Sequence, residues 1–290
     1  MVFILIFFMS TLMLVAFIIL IERNIMGLSQ ERKGPNIVGL WGVVQTILDG
    51  FKLILKKMYF PFLKKNFFFF MGPLLAILIS FLMWLFIPLP LFFFYSNSTS
   101  MFFFFFLGSI HIFSILWSGW GSSTSYSTMG SIRCVAQMIS YEVLLIFCFL
   151  LLLYNFNMLN FMVVYYMNMK KFFFFFFIFF FWMLITLAEN NRTPFDLIEG
   201  ESELVGGYNV EYSGSFFTLL FLSEYMSIWI YSILGGFFFF SFCLLGVFFF
   251  LTMLLMIRFV LPRFKYADLI SLCWFSLLPI LMLLFICFYM

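Results

Sequence analysis

Residues 187–212, LAENNRTPFDLIEGESELVGGYNVEY, concentrate charge in an otherwise apolar chain. Six of the protein's 12 acidic residues lie here, and Arg192 is the single basic residue of the stretch. The six are Glu189, Asp196, Glu199, Glu201, Glu203 and Glu211. Carboxylates take up and release protons but carry no electrons, so the chemistry they indicate is proton exchange. A solvated acidic loop is the alternative, although such loops rarely combine their charge with phenylalanine, leucine and paired glycines.

Part of this stretch has the pattern of a helix start. Thr193 fits the N-cap, Pro194 the first helical position, and Asp196 the residue that reaches back to the N-cap amide. Since Gly200 follows, we expect the helical turn to end near Glu199. Asp196 and Glu199 would then share one face.

Glu142 and Glu224 lie inside apolar segments that are candidate membrane spans. An ionised side chain at the bilayer centre costs roughly 2.5–3.5 kcal/mol on insertion scales, so both are candidate functional residues. A structural ion pair with a buried base is the alternative, but we expect no lysine or arginine at matching depth. With Asp49 and the acidic stretch, these residues predict a series of proton-exchanging groups that runs from the inner side into the membrane.

The composition indicates an all-α, polytopic membrane protein. Of the 290 residues, 66% are hydrophobic and 9% charged, a balance that soluble domains do not have. The net charge of +3 does not indicate nucleic-acid binding, because the basic residues cluster at the expected membrane edges. Five scattered cysteines without a CxxC pair argue against a metal, haem or iron–sulfur site. The one histidine, His111, lies in an apolar segment, and we interpret it as a packing residue.

Eight apolar segments are long enough to cross a bilayer as helices, so we predict one integral membrane domain, residues 1–290, with about eight transmembrane helices. The predicted spans are Val2–Ile21, Phe67–Phe94, Met101–Trp120, Cys134–Tyr154, Phe172–Ala188, Ser215–Leu234, Gly236–Ile257 and Ala267–Tyr289. The sixth and seventh are nearly continuous around Gly235-Gly236, so seven spans is the alternative count.

Two polar sections are predicted on the inner side of the membrane. Residues 22–66 contain an amphipathic surface helix at 41–58, with apolar positions at helical spacing and Asp49 on the opposite, polar stripe. Residues 189–214 form the acidic loop. With eight spans, 13 basic residues share the face of these sections and two lie opposite, so the positive-inside rule places the sections in the cytoplasm or the mitochondrial matrix.

The sequence resembles the NADH dehydrogenase subunit 1 family at motifs spread from about residue 21 to residue 270. The strings that carry the resemblance are IERNIMGLSQERKGPN, ILWSGW, AQMISYEV, LAENNRTPFDLIEGESELVGGYNVEY, FLSEY and PRFKYADLI. Members of this family are membrane subunits of respiratory complex I, usually encoded in mitochondria. The resemblance therefore implies a subunit of a proton-pumping NADH:ubiquinone oxidoreductase in the mitochondrial inner membrane, with polar loops facing the matrix and a wall of the ubiquinone cavity.

Carried over position by position, the resemblance implies that Arg23 lines the quinone path with Glu22, and that Arg258 lies on the same inner side. It also implies that Phe221 and Tyr225 face the cavity or its exit.

The same carry-over implies a junction below the cavity and a proton path beyond it. The implied junction residues are Arg192, Asp196, Glu189, Glu199, Glu201 and Glu203. The implied continuation of the carboxylate path toward the proton-pumping subunits is Asp49, Glu142 and Glu224. The chain departs from the family pattern at Leu261, where the family often has tyrosine, and in its short outer loops. These departures concern peripheral contacts and not the site.

The resemblance further implies that this chain binds no redox cofactor of its own. Ubiquinone would be the substrate, and NAD, FMN and iron–sulfur clusters would belong to partner subunits. The implied partners are the quinone-module subunits of the peripheral arm, neighbouring membrane-arm subunits and membrane lipid, but no nucleic acid.

Two alternatives stay open on the sequence. The chain could be the related subunit of a membrane-bound hydrogenase that does not use quinone, which the quinone dependence of the purified complex would reveal. It could also be a cation–proton exchanger, which ion flux through the isolated chain in liposomes would reveal.

Overall fold

The chain folds into α-helices joined by turns, as seen in a computed structural model that describes residues 2–57, 66–87, 100–156, 172–196, 209, 211–240 and 244–289. The helices are α1 (Val2–Ser29), α2 (Val43–Leu55), α3 (Asn66–Phe86), α4 (Ser100–Ser122), α5 (Ser125–Phe156), α6 (Phe172–Glu189), α7 (Ser215–Phe240), α8 (Leu244–Val260), α9 (Tyr266–Ser271) and α10 (Leu278–Tyr289). A π-helical segment, Leu272–Leu277, joins α9 to α10 into one C-terminal helix. Within these ranges the structure has no β-strand.

Six helices in the described part of the chain are long and apolar enough to cross a membrane: α1, α3, α4, α5, α7 and the C-terminal helix. Two shorter apolar helices, α6 and α8, complete a set of eight. Their order follows the eight apolar segments of the sequence, because each segment buries one face against neighbouring helices while offering an apolar surface to lipid. The prediction of an all-α, polytopic membrane fold is thus confirmed.

Several helices run beyond the predicted span limits. The first was expected to end at Ile21, but α1 continues to Ser29, so Glu22 and Arg23 are helical residues.

The amphipathic helix is α2, which is shorter than the predicted range of 41–58, and Met58 lies outside the described residues. Since α2 packs against α1 and α7, it lies where those two helices meet.

The junction of the sixth and seventh spans differs from the prediction. Gly235 and Gly236 do not break the chain but lie inside α7. A Cβ atom on Gly236 would lie 2.6 Å from Cγ2 and 2.9 Å from Cα of Val247. The backbone of α7 at Gly236 therefore packs directly against Val247 of α8. Small residues at such crossings let transmembrane helices pack closely. The two segments are therefore separate helices packed side by side and not one continuous span.

Side chain to backbone hydrogen bonds fix distant helices against one another. The indole nitrogen of Trp229 on α7 donates to the carbonyl oxygen of Leu14 on α1 at 2.9 Å. The hydroxyl of Tyr141 on α5 donates to the carbonyl oxygen of Leu269 on α9 at 3.2 Å. Each bond gives a buried polar group a partner that the lipid core does not supply. The first of them sets the separation of α1 and α7, which form the walls of the site described below.

We predict that Gly236→Ala destabilises the protein, because the added methyl group overlaps the backbone of α8. Overpacking of this kind costs about 1–3 kcal/mol. Gly50→Ala is the matched control, since a Cβ atom there meets nothing within 4 Å and alanine favours a helix. Thermal unfolding in detergent should show a lower midpoint temperature for Gly236→Ala than for the unsubstituted protein. The midpoint temperature of the control should not fall. Equal midpoints for the two variants would contradict the close contact.

Candidate functional site

A cavity of about 580 Å³ lies among α1, α2 and α7, and we call it the large cavity. Along α1 its lining changes from apolar side chains between Met9 and Ile19 to the charged pair Glu22 and Arg23. Cavities that bind small molecules measure roughly 300–1,000 Å³ and combine apolar walls with a few polar groups. The large cavity therefore suits an elongated ligand with an apolar body and a polar end.

Glu22 is the centre of the polar end. Its side chain is buried, with 3% of the residue exposed, although it is a carboxylate on a membrane helix. It forms an ion pair with Arg258 of α8 and accepts a hydrogen bond of 2.9 Å from the Tyr225 hydroxyl of α7. Both partners stabilise the ionised carboxylate, so one acidic residue joins three helices.

Arg192 also lines the large cavity and extends this arrangement toward Glu224. Its guanidinium lies 4.6 Å from the ring centroid of Tyr225, a cation–π contact. Its Nη2 is 3.7 Å from a carboxylate oxygen of Glu224. We call Glu22, Tyr225, Arg258, Arg192 and Glu224 the charged network. It runs without a break from the large cavity to the far side of α7.

Glu224 and Tyr225 are adjacent on α7, and their side chains contact different parts of the protein. Successive side chains on an α-helix diverge by about 100°, so neighbours face different elements. Tyr225 points toward Glu22, whereas Glu224 accepts a 3.4 Å hydrogen bond from the amide of Asn209. One turn further along, the Ser227 hydroxyl donates to the side-chain oxygen of Asn190 at 2.8 Å.

Arg192 reaches Glu224 because the chain after α6 turns back into the bundle. The buried amide of Gln137 on α5 donates to the carbonyl oxygens of Ala188 and Phe195, both at 2.9 Å, and so clamps the two ends of the turn. This corrects the expectation that no base lies at the depth of Glu224. The sequence places Arg192 outside the spans, but tertiary folding brings it inward, where 8% of the residue is exposed.

The predicted helix start at Thr193 is also wrong in the described part. Residues 190–196 form turns, and the Thr193-Pro194 bond is cis. The Thr193 hydroxyl donates to the carbonyl oxygen of Arg258 at 3.2 Å. Asp196 forms an ion pair with Arg263 at 3.4 Å. Both side chains therefore tie the turn to the end of α8 and the segment after it.

Asp49 lies in the wall of the large cavity. Its carboxylate accepts a 2.7 Å hydrogen bond from Arg23, which joins α2 to α1. Their side chains are 43% and 38% exposed, so this ion pair contributes little to stability. Phe221 lies in the same wall, with its ring 6.2 Å from that of Tyr225. All five residues that the resemblance assigns to the quinone path, Glu22, Arg23, Phe221, Tyr225 and Arg258, line this one cavity.

The deeper carboxylates gather on the other side of α7. Glu189 and Glu224 line a second cavity of about 20 Å³, which we call the small cavity. Glu142 approaches from α5, because a Cβ atom on Gly108 would lie 3.8 Å from its Oε1. The charges of Glu142 and Glu189 are close enough to interact. The structure thus brings Glu189 and Glu224 together at one cavity, with Glu142 nearby on α5.

The rest of the acidic loop is described in part. Glu199, Glu201 and Glu203 lie outside the described residues. Past them, Tyr212 stacks on Phe69 with ring centroids 4.3 Å apart, and its hydroxyl donates to the carbonyl oxygen of Ser118 at 3.0 Å. Burial raises the pKa of Tyr212, so its hydroxyl stays a donor. This contact fixes the end of the loop to α3 and α4.

Sequence reasoning missed several polar residues of the site. They are Gln137, Asn190, Asn209 and Ser227. The available signal was weak, since each is a neutral side chain whose role depends on a partner distant in sequence. Gln137 offers the clearest one, because an amide within a transmembrane helix requires a hydrogen-bond partner.

Comparison with known proteins gives a consistent result. The profile of the NADH dehydrogenase family matches residues 2–289. A curated protein named NADH-ubiquinone oxidoreductase chain 1 from Branchiostoma lanceolatum is 40% identical over 283 residues, which cover 94% of this chain and 90% of the relative. A protein of the same name from Papio hamadryas is 38% identical over 288 residues, which cover 94% of this chain and 90% of the relative. Another from Aedes aegypti is 38% identical over 274 residues, which cover 91% of this chain and 87% of the relative. The matched stretch contains every residue that lines the two cavities.

We predict strong coupling between Glu22 and Arg258 in a double-mutant cycle. Arg258→Gln leaves a buried carboxylate without its ion-pair partner, which costs about 3–5 kcal/mol. Adding Glu22→Gln removes that charge, so the double variant should lose less stability than the sum of the singles, by about 0.5–3 kcal/mol. The exposed pair Arg23 and Asp49 is the control and should couple by about 0–1 kcal/mol. Additive losses at Glu22 and Arg258 in thermal unfolding would contradict the prediction.

Proposed function

The chain belongs to the NADH dehydrogenase family, and on that premise we propose that it is a membrane subunit of a proton-pumping NADH:ubiquinone oxidoreductase. In this role it forms part of the ubiquinone cavity and of a carboxylate path that couples quinone reduction to proton translocation. The observation that carries the proposal is the large cavity, which is apolar along α1 and charged where Glu22, Arg23 and Arg258 meet.

The chemistry of the large cavity matches both ends of ubiquinone. A long apolar tail fits the stretch between α1 and α7, where burial of apolar surface contributes about 25 cal/mol per Å². The quinone ring carries carbonyl oxygens that accept hydrogen bonds, and the guanidinium of Arg23 has donors on the cavity wall. The apolar face of α2, with Phe51 and Ile54 in the cavity lining, offers an entry from the membrane.

The charged network supplies the route from quinone to carboxylates. Reduction of the quinone, with electrons from a partner subunit, changes the charge beside Glu22 as protons are taken up. At 4 Å and an effective dielectric constant of about 20, two unit charges interact by about 4 kcal/mol. A change at the cavity therefore acts on Glu22, on Arg192 through Tyr225, and then on Glu224, whose carboxylate is 3.7 Å from Arg192. Shifted proton occupancy of Glu224 passes to Glu189 and Glu142.

Family membership supports the remaining assignments of the proposal. The chain lies in the mitochondrial inner membrane, with residues 22–66 and 189–214 facing the matrix. NAD, FMN and iron–sulfur clusters are held by partner subunits of the peripheral arm, and neighbouring membrane-arm subunits continue the proton path. The names of the curated relatives favour this quinone-linked role over a hydrogenase subunit or an independent exchanger.

We predict that Arg23→Ala raises the concentration of ubiquinone required for half-maximal NADH oxidation, because it removes a donor from the cavity wall. Arg32→Ala is the matched control, since Arg32 is exposed, bonds Gln30 and does not line the cavity. The measurement is steady-state oxidation of NADH by the purified complex at graded quinone concentrations. An unchanged requirement in Arg23→Ala would remove Arg23 from the quinone site.

We further predict that Glu142→Gln assembles normally but loses proton pumping, because the amide keeps the shape of the side chain and cannot release a proton. Glu31→Gln, the same change at an exposed position, is the control. Pumped protons per electron should be measured in proteoliposomes. A normal ratio in Glu142→Gln would show that the carboxylate path bypasses this residue.

A further inference from the structure

The walls of the small cavity are unusually polar for a membrane bundle. Its polar lining consists of His111 on α4, Glu189, Asn190 and Asn191 at the end of α6, and Ser223, Glu224 and Ser227 on α7. Its volume is about 20 Å³. A cavity of about 10–15 Å³ or more with two to four polar partners is large enough for one water molecule.

Three polar atoms of this lining have no hydrogen-bond partner among the described residues. They are Nε2 of His111, Oε2 of Glu189 and Oδ1 of Asn191, and all three atoms are buried. Glu189 and Asn191 are more than nine-tenths buried as whole residues, whereas His111 is partly buried. A buried polar atom without a partner costs about 1–3 kcal/mol, so three around one cavity indicate a partner that they share.

The titratable groups around His111 determine which proton transfers a molecule bound in the small cavity could mediate. Two acidic residues line the same cavity as His111: Glu189 at the end of α6 and Glu224 on α7. Glu142 of α5 lies near Gly108, one turn before His111 on α4. Glu224 is already paired with Arg192, but Glu189 forms no ion pair within the described part of the chain. The element α3 contributes only Ala76 to the lining. The carboxyl group of Glu189 is therefore the acidic group of the small cavity that remains available to act with His111.

We propose that the small cavity binds one water molecule between His111 and Glu189, and that His111 exchanges protons with Glu189 through it. In this step the carboxyl group of Glu189 gives its proton to the water, and the water gives one of its own to Nε2 of His111. A carboxylate and an imidazolium result, and the reverse transfer restores the neutral pair. Histidine suits this role because a ring nitrogen of imidazole can accept a proton and give it back.

This inference rests on the proposed function for its effect on pumping, but the water site itself does not. His111 would add a proton-exchanging group on α4 to the three carboxylates. It replaces our interpretation of His111 as a packing residue, which took account of the apolar segment and not of the groups brought opposite to it.

The test uses two variants of the whole complex. His111→Gln puts an amide near the position of Nε2, so it keeps a hydrogen bond to the water but cannot carry a proton. His111→Leu removes both. Ser109→Ala on the same helix is the control, because its hydroxyl is exposed and donates to the carbonyl of Phe106 in its own helix.

Density maps from electron cryomicroscopy should show a water within hydrogen-bond distance of His111 and Glu189 in the native complex, retained in His111→Gln and lost in His111→Leu. Both variants should pump fewer protons per electron than Ser109→Ala. Full pumping in His111→Gln would overturn the proton exchange, and a native map without the water would overturn the site. If the native complex shows no quinone-coupled pumping at all, the proposed function fails instead, and the maps still decide the water site.

Discussion

The buried ion pair of Glu22 and Arg258 is the contact on which the arrangement depends. A carboxylate inside an apolar helix bundle is stable only with a charged partner and further hydrogen bonds, which Arg258 and Tyr225 supply. To meet at this point, α1, α7 and α8 must hold one relative position, which the close contact at Gly236 and the bond from Trp229 to Leu14 maintain. The same position leaves the large cavity open beside the pair.

The helix α7 connects the two cavities because the side chains of its consecutive residues Glu224 and Tyr225 face different neighbours. Tyr225 takes part in the polar end of the large cavity, and Glu224 in the wall of the small one. Arg192 contacts both, so a change of charge on one side alters the electrostatic environment of the other without any movement of the helices. A rigid chain of contacts of this kind can transmit a local charge change over the width of a helix.

Much of this organisation could be predicted from the sequence, and the exceptions share a cause. The apolar segments of about 20 residues predict the membrane helices, and acidic residues such as Glu142 and Glu224 within them are candidate site residues because charge in a membrane is costly. The depth of Arg192 could not be predicted, since it depends on a turn clamped by Gln137. The role of Gly236 depends on Val247, which the sequence does not pair with it. The role of a residue that depends on one contact distant in sequence cannot be predicted from composition and spacing.

Photolabelling with a reactive ubiquinone analogue, followed by mapping of the labelled residues by mass spectrometry, would show whether the large cavity binds quinone. We expect label on residues that line this cavity, such as Ala16 of α1 and Phe221 of α7, and we expect excess ubiquinone to suppress it. An apolar groove between α1 and α3, lined by Phe8 and Leu78, provides an internal comparison on the same protein. Label confined to that groove, or label in the large cavity that ubiquinone does not displace, would contradict the account.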